Sequence, residues 1–416
     1  MAKRVHVIGG GIIGLSSAWF LREKGFEVTV VDRTDLTDGA SHGNAGMVVP
    51  SHFVPLASPG VVSKGLKWMF NSKSPFFIKP RLDNDLVQWL WKFYNSCTPE
   101  NVSNSVSILK DFNELSKGLY KNFSENEGFE FSFEENGLLM LFKDSHAAEE
   151  EIKIAEKGRE LGLEVEILNQ DEVQQKEGNL KVSVAGGVYY PGDTHLYPNL
   201  FIQQMVSHLK KKGVEFLTDH EVVGISASNG KVDTLRFSND STEDIEELVV
   251  AAGSWSAKLL KQIGVKIHLQ DGKGYSFTQR SPDLKPTYPT ILSEGKVAMT
   301  PMGNDLRIGG TLEISNFNST VNRNRLAGIL ESVPTYFPEL NNITPEMETV
   351  WHGFRPCTPD GLPYIGRSPQ IDNLTVATGH AMMGMSLGPQ TGKLVSQIIT
   401  DQKTDLDLSL MGIDRL

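Results

Sequence analysis

Residues Val5 to Asp32, VHVIGGGIIGLSSAWFLREKGFEVTVVD, constrain the fold more than any other stretch of the chain. An apolar run enters a glycine-rich turn, a helix-forming segment follows, and a second apolar run ends in an acid. Strand, turn, helix and strand in that order read as a nucleotide-binding crossover between parallel strands. Gly9 permits the tight turn, Gly11 lets backbone approach a pyrophosphate, and Gly14 lets the helix lie close against the sheet. The first amides of that helix have no intrahelical partner and face the phosphates. Asp32 stands where its carboxylate can accept from the two hydroxyls of an adenosine ribose. A dinucleotide is the expected ligand, and this unit alone admits either NAD or FAD.

At 416 residues the chain exceeds the size at which one core stops growing, so two domains are expected. Forty basic against fifty-one acidic residues leave a formal charge of -11, which argues against nucleic acid as a partner. The two cysteines, Cys97 and Cys357, are too few for a disulfide framework and match no metal-ligand spacing, so no metal is expected. The start MAKRVHVIGG reaches its glycines before a signal segment could be completed, and no apolar stretch is long enough to span a bilayer. The expected location is cytoplasmic, either free or peripheral on the inner face of the cytoplasmic membrane.

Beyond Asp32, Leu36 to Pro59 is rich in small residues and contains Ser41-His42-Gly43-Asn44-Ala45-Gly46. Small side chains there let backbone pass beside a bulky ligand, although a plain turn cluster has the same composition. Helical spacing is read over Leu86 to Phe123, Ala147 to Leu161, Leu196 to Lys212 and Asn322 to Ser332. Phe129 to Phe142 is strand-like and broken at the turn pair Asn136-Gly137, and Asn229-Gly230 marks a hairpin. Glu247 to Ala252 is a strand ending in Gly253-Ser254-Trp255-Ser256. Tyr275 to Gln279, Val297 to Pro301 and Leu306 to Gly310 suggest an antiparallel sheet. The expected fold is therefore α/β, with an interrupted nucleotide domain and a second α+β domain.

The tail is the other dense region. Trp351 to Gly366 is rich in polar residues, glycine and proline, which reads as a shaped loop. Leu374 to Ala377 is strand-like and leads through Thr378-Gly379-His380-Ala381-Met382-Met383-Gly384 into a helical stretch ending at Ile399. Strand, glycine turn and helix recur, aiming a second helix N-terminus at negative charge.

The opening unit, the Gly43 to Gly46 loop, the Val249 to Ser256 segment, Arg355 to Gly366 and Gly379 to Gly384 together resemble the FAD-dependent D-amino-acid oxidase superfamily. Within it the likeness is to bacterial D-amino-acid dehydrogenases, and it runs from end to end. The resemblance implies a glutathione-reductase-like FAD-binding domain made of residues 1–59, 186–268 and 346–416. A substrate domain of residues 60–185 and 269–345 would carry a mixed or antiparallel sheet. It assigns Gly9, Gly11, Gly14, Asp32 and Arg33 to the ADP end, with Val223 near the adenine. His42, Gly43, Asn44, Ala45, Gly46 and Met47 would run near the flavin, and Ala252, Gly253 and Trp255 match a later FAD contact. Gly379, His380, Met382, Met383, Gly384 and Met385 match the loop beside the pyrimidine ring, where amides would stabilise charge on the reduced flavin. The methionines are equally compatible with plain packing.

The same resemblance sets Arg355 against a substrate carboxylate, for which its rigid donor fork is suited. Tyr275 would contact the carboxylate or orient the amine, or serve only as an apolar wall. His52 and His380 are polar contributors near the ring, or histidines that satisfy backbone groups. The implied reaction oxidises an amino acid, D-proline or D-hydroxyproline among the candidates, to an imino acid, with hydride passing to flavin N5. One glycine-oxidase subgroup carries an arginine in the loop represented by His380 to Met383, and this chain has none. Val62 to Tyr94 interleaves Leu66, Trp68, Met69, Phe70, Phe76, Phe77, Trp89, Trp91 and Phe93 with cations. That pattern suits either a membrane surface, with electrons passed to a quinone or other carrier, or an internal helix seam. An oxygen-using glycine, sarcosine or D-amino-acid oxidase and a noncatalytic flavin-binding scaffold are the alternatives.

Overall fold

The computed structural model describes residues 3–69 and 71–416, so Phe70 lies outside the described residues. Among them, one sheet has six strands in the order Tyr364–Arg367, Leu374–Thr378, Glu247–Val250, Arg4–Ile8, Glu27–Val31 and Glu215–Leu217. All neighbours are parallel except the antiparallel edge strand Tyr364–Arg367. Strands covered on both faces read as continuous apolar runs, which is why Val5, Val7, Val28, Val30 and Val249 are all buried. Helix Ile12–Glu23 covers one face and crosses helix Gly384–Ile399 closely. A Cβ on Gly392 would lie 2.3 Å from the Ser16 carbonyl carbon, so the crossing requires glycine.

The expected hairpin at Asn229-Gly230 is present, joining Val222–Ser228 to Lys231–Phe237. Both turn residues have positive φ, 49° and 75°, as a tight two-residue hairpin turn demands. The break expected at Asn136-Gly137 falls directly before a strand but joins no pair of neighbouring strands. Leu138–Phe142 instead pairs with Gly186–Tyr190 and Thr290–Leu292, while residues 129–137 make one bridge, Glu134 to His195. The helical run expected from Leu86 to Phe123 is two helices, Asn84–Ser96 and Pro99–Glu125. Thr98 caps the second helix through Asn101 N, and Pro99 occupies its first turn.

The second large sheet has nine strands among the described residues and is mostly antiparallel. Its centre is Gln270–Gln279 against Asp305–Ile314, with Val297–Met302 on the far side of the latter. Two of its strands cut across the boundaries expected from sequence. Gly186–Tyr190, assigned to the nucleotide unit, pairs with Leu138–Phe142, and Trp351–Cys357, likewise assigned there, pairs with Gln270–Gln279. Pairing partners more than 40 residues apart leave no local trace in a boundary. Trp351–Cys357 is also a strand rather than the loop its glycine and proline content suggested.

The pairing of Gln270–Gln279 with Asp305–Ile314 slips between Lys273 and Tyr275, which oppose Glu313 and Gly310. One extra residue is therefore carried on the second strand. Thr311 takes the bulge with a left-handed φ of 65°, unusual for a β-branched residue. That bulge faces the site.

Candidate active site

One cavity of about 1120 Å³ runs between the two sheets, from Gly9 and Gly11 to Arg355. It exceeds the roughly 300–1,000 Å³ typical of small-ligand pockets, as an extended dinucleotide plus a substrate would require.

At the nucleotide end, Gly9 has φ 109° and its missing Cβ would stand 2.4 Å from the Ala251 carbonyl. Gly14 contributes packing alone, because a Cβ there would reach the Gly9 carbonyl at 1.8 Å. The first turn of helix Ile12–Glu23 contains no acid, and its N-cap, Gly11, offers no side chain. Ser41 Oγ accepts from Ile12 N at 3.0 Å. Asp32 holds the turn by accepting from Gly10 N at 2.6 Å and from Thr34 N at 2.9 Å. A carboxylate has about four lone-pair sites, so it retains capacity for a ribose hydroxyl. The Arg33 guanidinium lies 3.7 Å over the Trp255 ring, forming a flat wall with Ala252 and Gly253. Val223 lines the same end, its carbonyl accepting from Gln262 Nε2 at 3.3 Å.

The loop and the tail turn meet further along. His42, Gly43, Asn44, Ala45 and Met47 line the cavity, as do His380, Met382, Met383, Gly384 and Met385. Asn44 Nδ2 donates to the Met382 carbonyl at 3.4 Å, which ties the two segments together. Gly46 and Gly379, expected beside the cofactor, do not line the cavity. A Cβ on Gly46 would meet the Leu196 carbonyl at 2.1 Å, and one on Gly379 would meet Thr358 Cγ2 at 2.5 Å. Both glycines serve close packing behind the wall. The helix Gly384–Ile399 likewise begins with no acidic residue in its first turn. Cradling glycines, two open helix N-termini, the Asp32 carboxylate and the length of the cavity all fit FAD.

Arg355 projects from the edge strand Trp351–Cys357 into the cavity. Its Nη1 donates to the carbonyl of the bulged Thr311 at 2.6 Å. The space it fills exists because Gly274, diagonally across on the neighbouring strand, has no side chain, since a Cβ there would lie 2.1 Å from Nη1. Among the described residues no carboxylate lies within ion-pair reach of Arg355, and burial depresses its pKa. A desolvated guanidinium with one carbonyl partner is free to take an anionic ligand.

Tyr275 also lines the cavity, but its hydroxyl turns away. It donates to Glu313 Oε2 at 3.1 Å and accepts from Asn322 N at 3.1 Å, in a buried network with Lys273. Burial pushes that phenol well up, so it stays protonated. His52 lines the cavity and is bonded through Nδ1 to Ser51 Oγ at 3.1 Å. Desolvation, assisted by Lys296, lowers it to about 4. His380 Nε2 pairs with Thr391 Oγ1 at 2.9 Å, and burial lowers it to about 3. His42 is depressed by burial as well. All three rings are neutral at physiological pH. Among the described residues no group of three or more His, Cys, Asp or Glu is arranged to hold a metal, and no helix is long and apolar enough to cross a membrane.

Sequence reasoning passed over Arg307, whose guanidinium donates to the carbonyls of His42 and Asn44. The available signal was a lone arginine within the otherwise apolar strand sequence Leu306-Arg307-Ile308. The strained Thr311 and the clearance at Gly274 had no signal short of register.

The family model for FAD-dependent oxidoreductases, abbreviated DAO, matches residues 4–398. The chain is 31% identical over 420 residues to a D-amino acid dehydrogenase of Vibrio atlanticus, covering 99% of each. It is 32% identical over 409 residues to the enzyme of that name from Vibrio vulnificus strain YJ016, covering 96% of each. The fold is similar to a glycine oxidase of Geobacillus kaustophilus, with a TM-score of 0.79 at 24% identity over 100% of both chains. An L-proline dehydrogenase of P. horikoshii is also similar, with a TM-score of 0.76 at 20% identity over 100% of this chain and 97% of that one. With the family model spanning nearly the whole chain and a cavity shaped for the cofactor, the protein belongs to the FAD-dependent oxidoreductases of the DAO family.

Proposed function

We propose that the protein is a D-amino-acid dehydrogenase, oxidising its substrate to the imino acid and passing the electrons to a quinone or similar carrier. The observation that carries this reading is Arg355, a desolvated guanidinium with no carboxylate partner among the described residues, held in the FAD cavity. The relatives at about 30% identity over full length bear that activity in their names. Bound FAD supplies the acceptor for the hydride equivalent leaving the substrate α-carbon.

Arg355 binds the substrate carboxylate through its fork, and the Thr311 carbonyl fixes the guanidinium plane. With the carboxylate anchored, the amine and side chain are left to the remaining walls, where Met47, Met140 and Ile291 exclude water. Tyr275 presents its ring to the cavity while its hydroxyl steadies Glu313. His52 and His380 are too weakly basic to remove the ammonium proton, so the amine enters neutral. The cofactor-facing residues proposed are Gly9, Gly11, Asp32, Arg33, His42 to Ala45, Met47, Val223, Ala252, Gly253, Trp255, His380 and Met382 to Met385.

Peripheral contact with a membrane is part of the proposal. Leu82, Val87, Trp91 and Tyr94 are exposed on and beside helix Asn84–Ser96, with Lys92 in the helix and Lys261 and Lys266 paired to its Asp85 and Gln88. Aromatic and lysine side chains together suit an anionic lipid surface.

The test is anaerobic mixing with D-proline, D-hydroxyproline, D-alanine, sarcosine and glycine while flavin absorbance is followed. Bleaching by D-amino acids, with slow recovery in air hastened by a soluble quinone, is expected. No bleaching by any of them refutes the reading, and rapid peroxide formation moves it to an oxidase.

A further inference from the structure

Arg307 stands within strand Asp305–Ile314 and is 6% exposed. Its guanidinium lines the cavity and meets only neutral acceptors. Nη1 donates to the carbonyls of His42 at 2.6 Å and Asn44 at 2.9 Å, Nη2 to Asn199 Oδ1 at 3.0 Å, and Nε to Thr278 Oγ1 at 3.1 Å. The acid that acts on it through space, Asp305, already accepts from Arg280, Tyr197 and Ser281 N, and Arg280 opposes it. Burial lowers Arg307 to about 10, which leaves it charged at physiological pH. Burying a charge without an opposite partner costs several kcal/mol, so its retention calls for a compensating role.

Its contacts locate that role. Ser276 Oγ donates to the Gly43 carbonyl at 2.8 Å. Three successive carbonyls, those of His42, Gly43 and Asn44, are thus held by side chains of the facing sheet. Those oxygens would otherwise repel negative charge developing in the cavity. The same loop touches Met382, just before the acid-free start of helix Gly384–Ile399. A buried cation, immobilised carbonyls and a positive helix end therefore surround one part of the FAD cavity.

We propose that Arg307 is an electrostatic positioning residue whose uncompensated charge favours the reduced form of bound FAD over the oxidised form. Adding two electrons and one proton to the neutral ring leaves one extra negative charge, and a fixed cation in a low-dielectric wall lowers the energy of that state. The inference rests on FAD binding and not on which amino acid is oxidised, so it stands or falls separately from the substrate reading.

Asn199→Asp is the decisive variant. It sets a carboxylate on Nη2 in nearly the same volume and leaves Arg307 and its loop contacts in place. Position 199 lies in the first turn of helix Pro198–Lys211, where an acid is favourable. The two-electron reduction equilibrium of the FAD-loaded protein is measured by dithionite titration against a redox dye, with the FAD dissociation constant followed separately by fluorescence. Asn199→Asp is expected to lower the reduction equilibrium constant about tenfold, near 30 mV for a two-electron couple, with FAD affinity within about threefold of the parent. Arg307→Met should shift it in the same direction, and Arg307→Lys, which keeps the charge, should shift it less. A potential for Asn199→Asp equal to the parent, or equal shifts for Arg307→Lys and Arg307→Met, would overturn the proposal.

Discussion

At the scale of single residues the site depends on what surrounds one guanidinium. Arg355 is held by the Thr311 carbonyl and given room by Gly274. Truncating it to alanine should lower kcat/KM for carboxylated substrates by about a hundred- to thousandfold, the loss expected when a buried charge partner is removed. FAD content, read from the absorbance of the purified protein, should be unchanged. Gly274→Ala tests the same point without touching the arginine. The new methyl displaces the flexible end of Arg355 rather than backbone, so the variant should fold and bind FAD while losing about tenfold or more in kcat/KM. Steady-state kinetics on both variants with one substrate series decides the matter, and a Gly274→Ala enzyme with parental kinetics would remove Arg355 from the clamp.

At the scale of elements, the two helices that begin at the cavity are locked against each other. Gly392 lies on the Ser16 backbone and Gly388 on Ile12, so helices Ile12–Glu23 and Gly384–Ile399 cross at nearly bare backbone. Gly392→Ala forces a methyl against atoms that cannot rotate aside, and overpacking of this kind costs about 1–3 kcal/mol. A lower melting temperature is expected together with weaker FAD binding, because both acid-free N-termini are aimed by that crossing. Circular-dichroism melts and FAD titration test the link. Unchanged FAD affinity in a destabilised variant would separate the crossing from the site. The bulge at Thr311 is the corresponding device in the other sheet, where one extra residue turns a carbonyl onto Arg355.

Across the whole molecule, buried ionisable groups set the dependence of stability on pH. Glu177 accepts from Thr287 N through both oxygens, at 2.9 and 3.2 Å, and burial raises it to about 7. Between an unfolded value near 4.3 and about 7 the native state keeps a proton that the unfolded state has released, so stability falls as pH rises through that window. Glu177→Gln should remove this residue's share of the slope, while Asp193 and Asp271, raised by burial to about 7 and about 6, keep theirs, leaving a variant with a higher melting temperature than the parent at pH 8 and a similar one at pH 4. The histidines act in the opposite sense. His52, His195 and His268 are lowered to about 4, chiefly by burial, so unfolded chains gain protons first and stability falls as pH drops from about 6.5 to 4. Removal of FAD should also lower the melting temperature and readdition restore it, because a ligand at a hundred times its dissociation constant contributes about 2.7 kcal/mol. A melt insensitive to added FAD would mean that the native state does not bind it in preference to the unfolded chain.

The opening unit was legible because its signals are local. Turn glycines, a helix start and a terminal acid stand within 28 residues, and the structure forms that crossover with Asp32 holding the turn. Hairpin chemistry at Asn229-Gly230 was equally local, and the resemblance carried by the tail pointed to Arg355. Pairing between distant strands was not legible. Gly186–Tyr190 and Trp351–Cys357 joined the other sheet, and Gly46 and Gly379 turned to packing. Tyr275 has the composition of a substrate contact, yet register sets its hydroxyl on Glu313. Short-range spacing in the chain was enough for a parallel nucleotide-binding crossover, and the wider resemblance supplied the expectation of FAD and of the residues around it. Which of those residues line the cavity, and that Arg307 sits there without an acid, followed from three-dimensional packing, because burial and charge pairing join chain segments hundreds of residues apart.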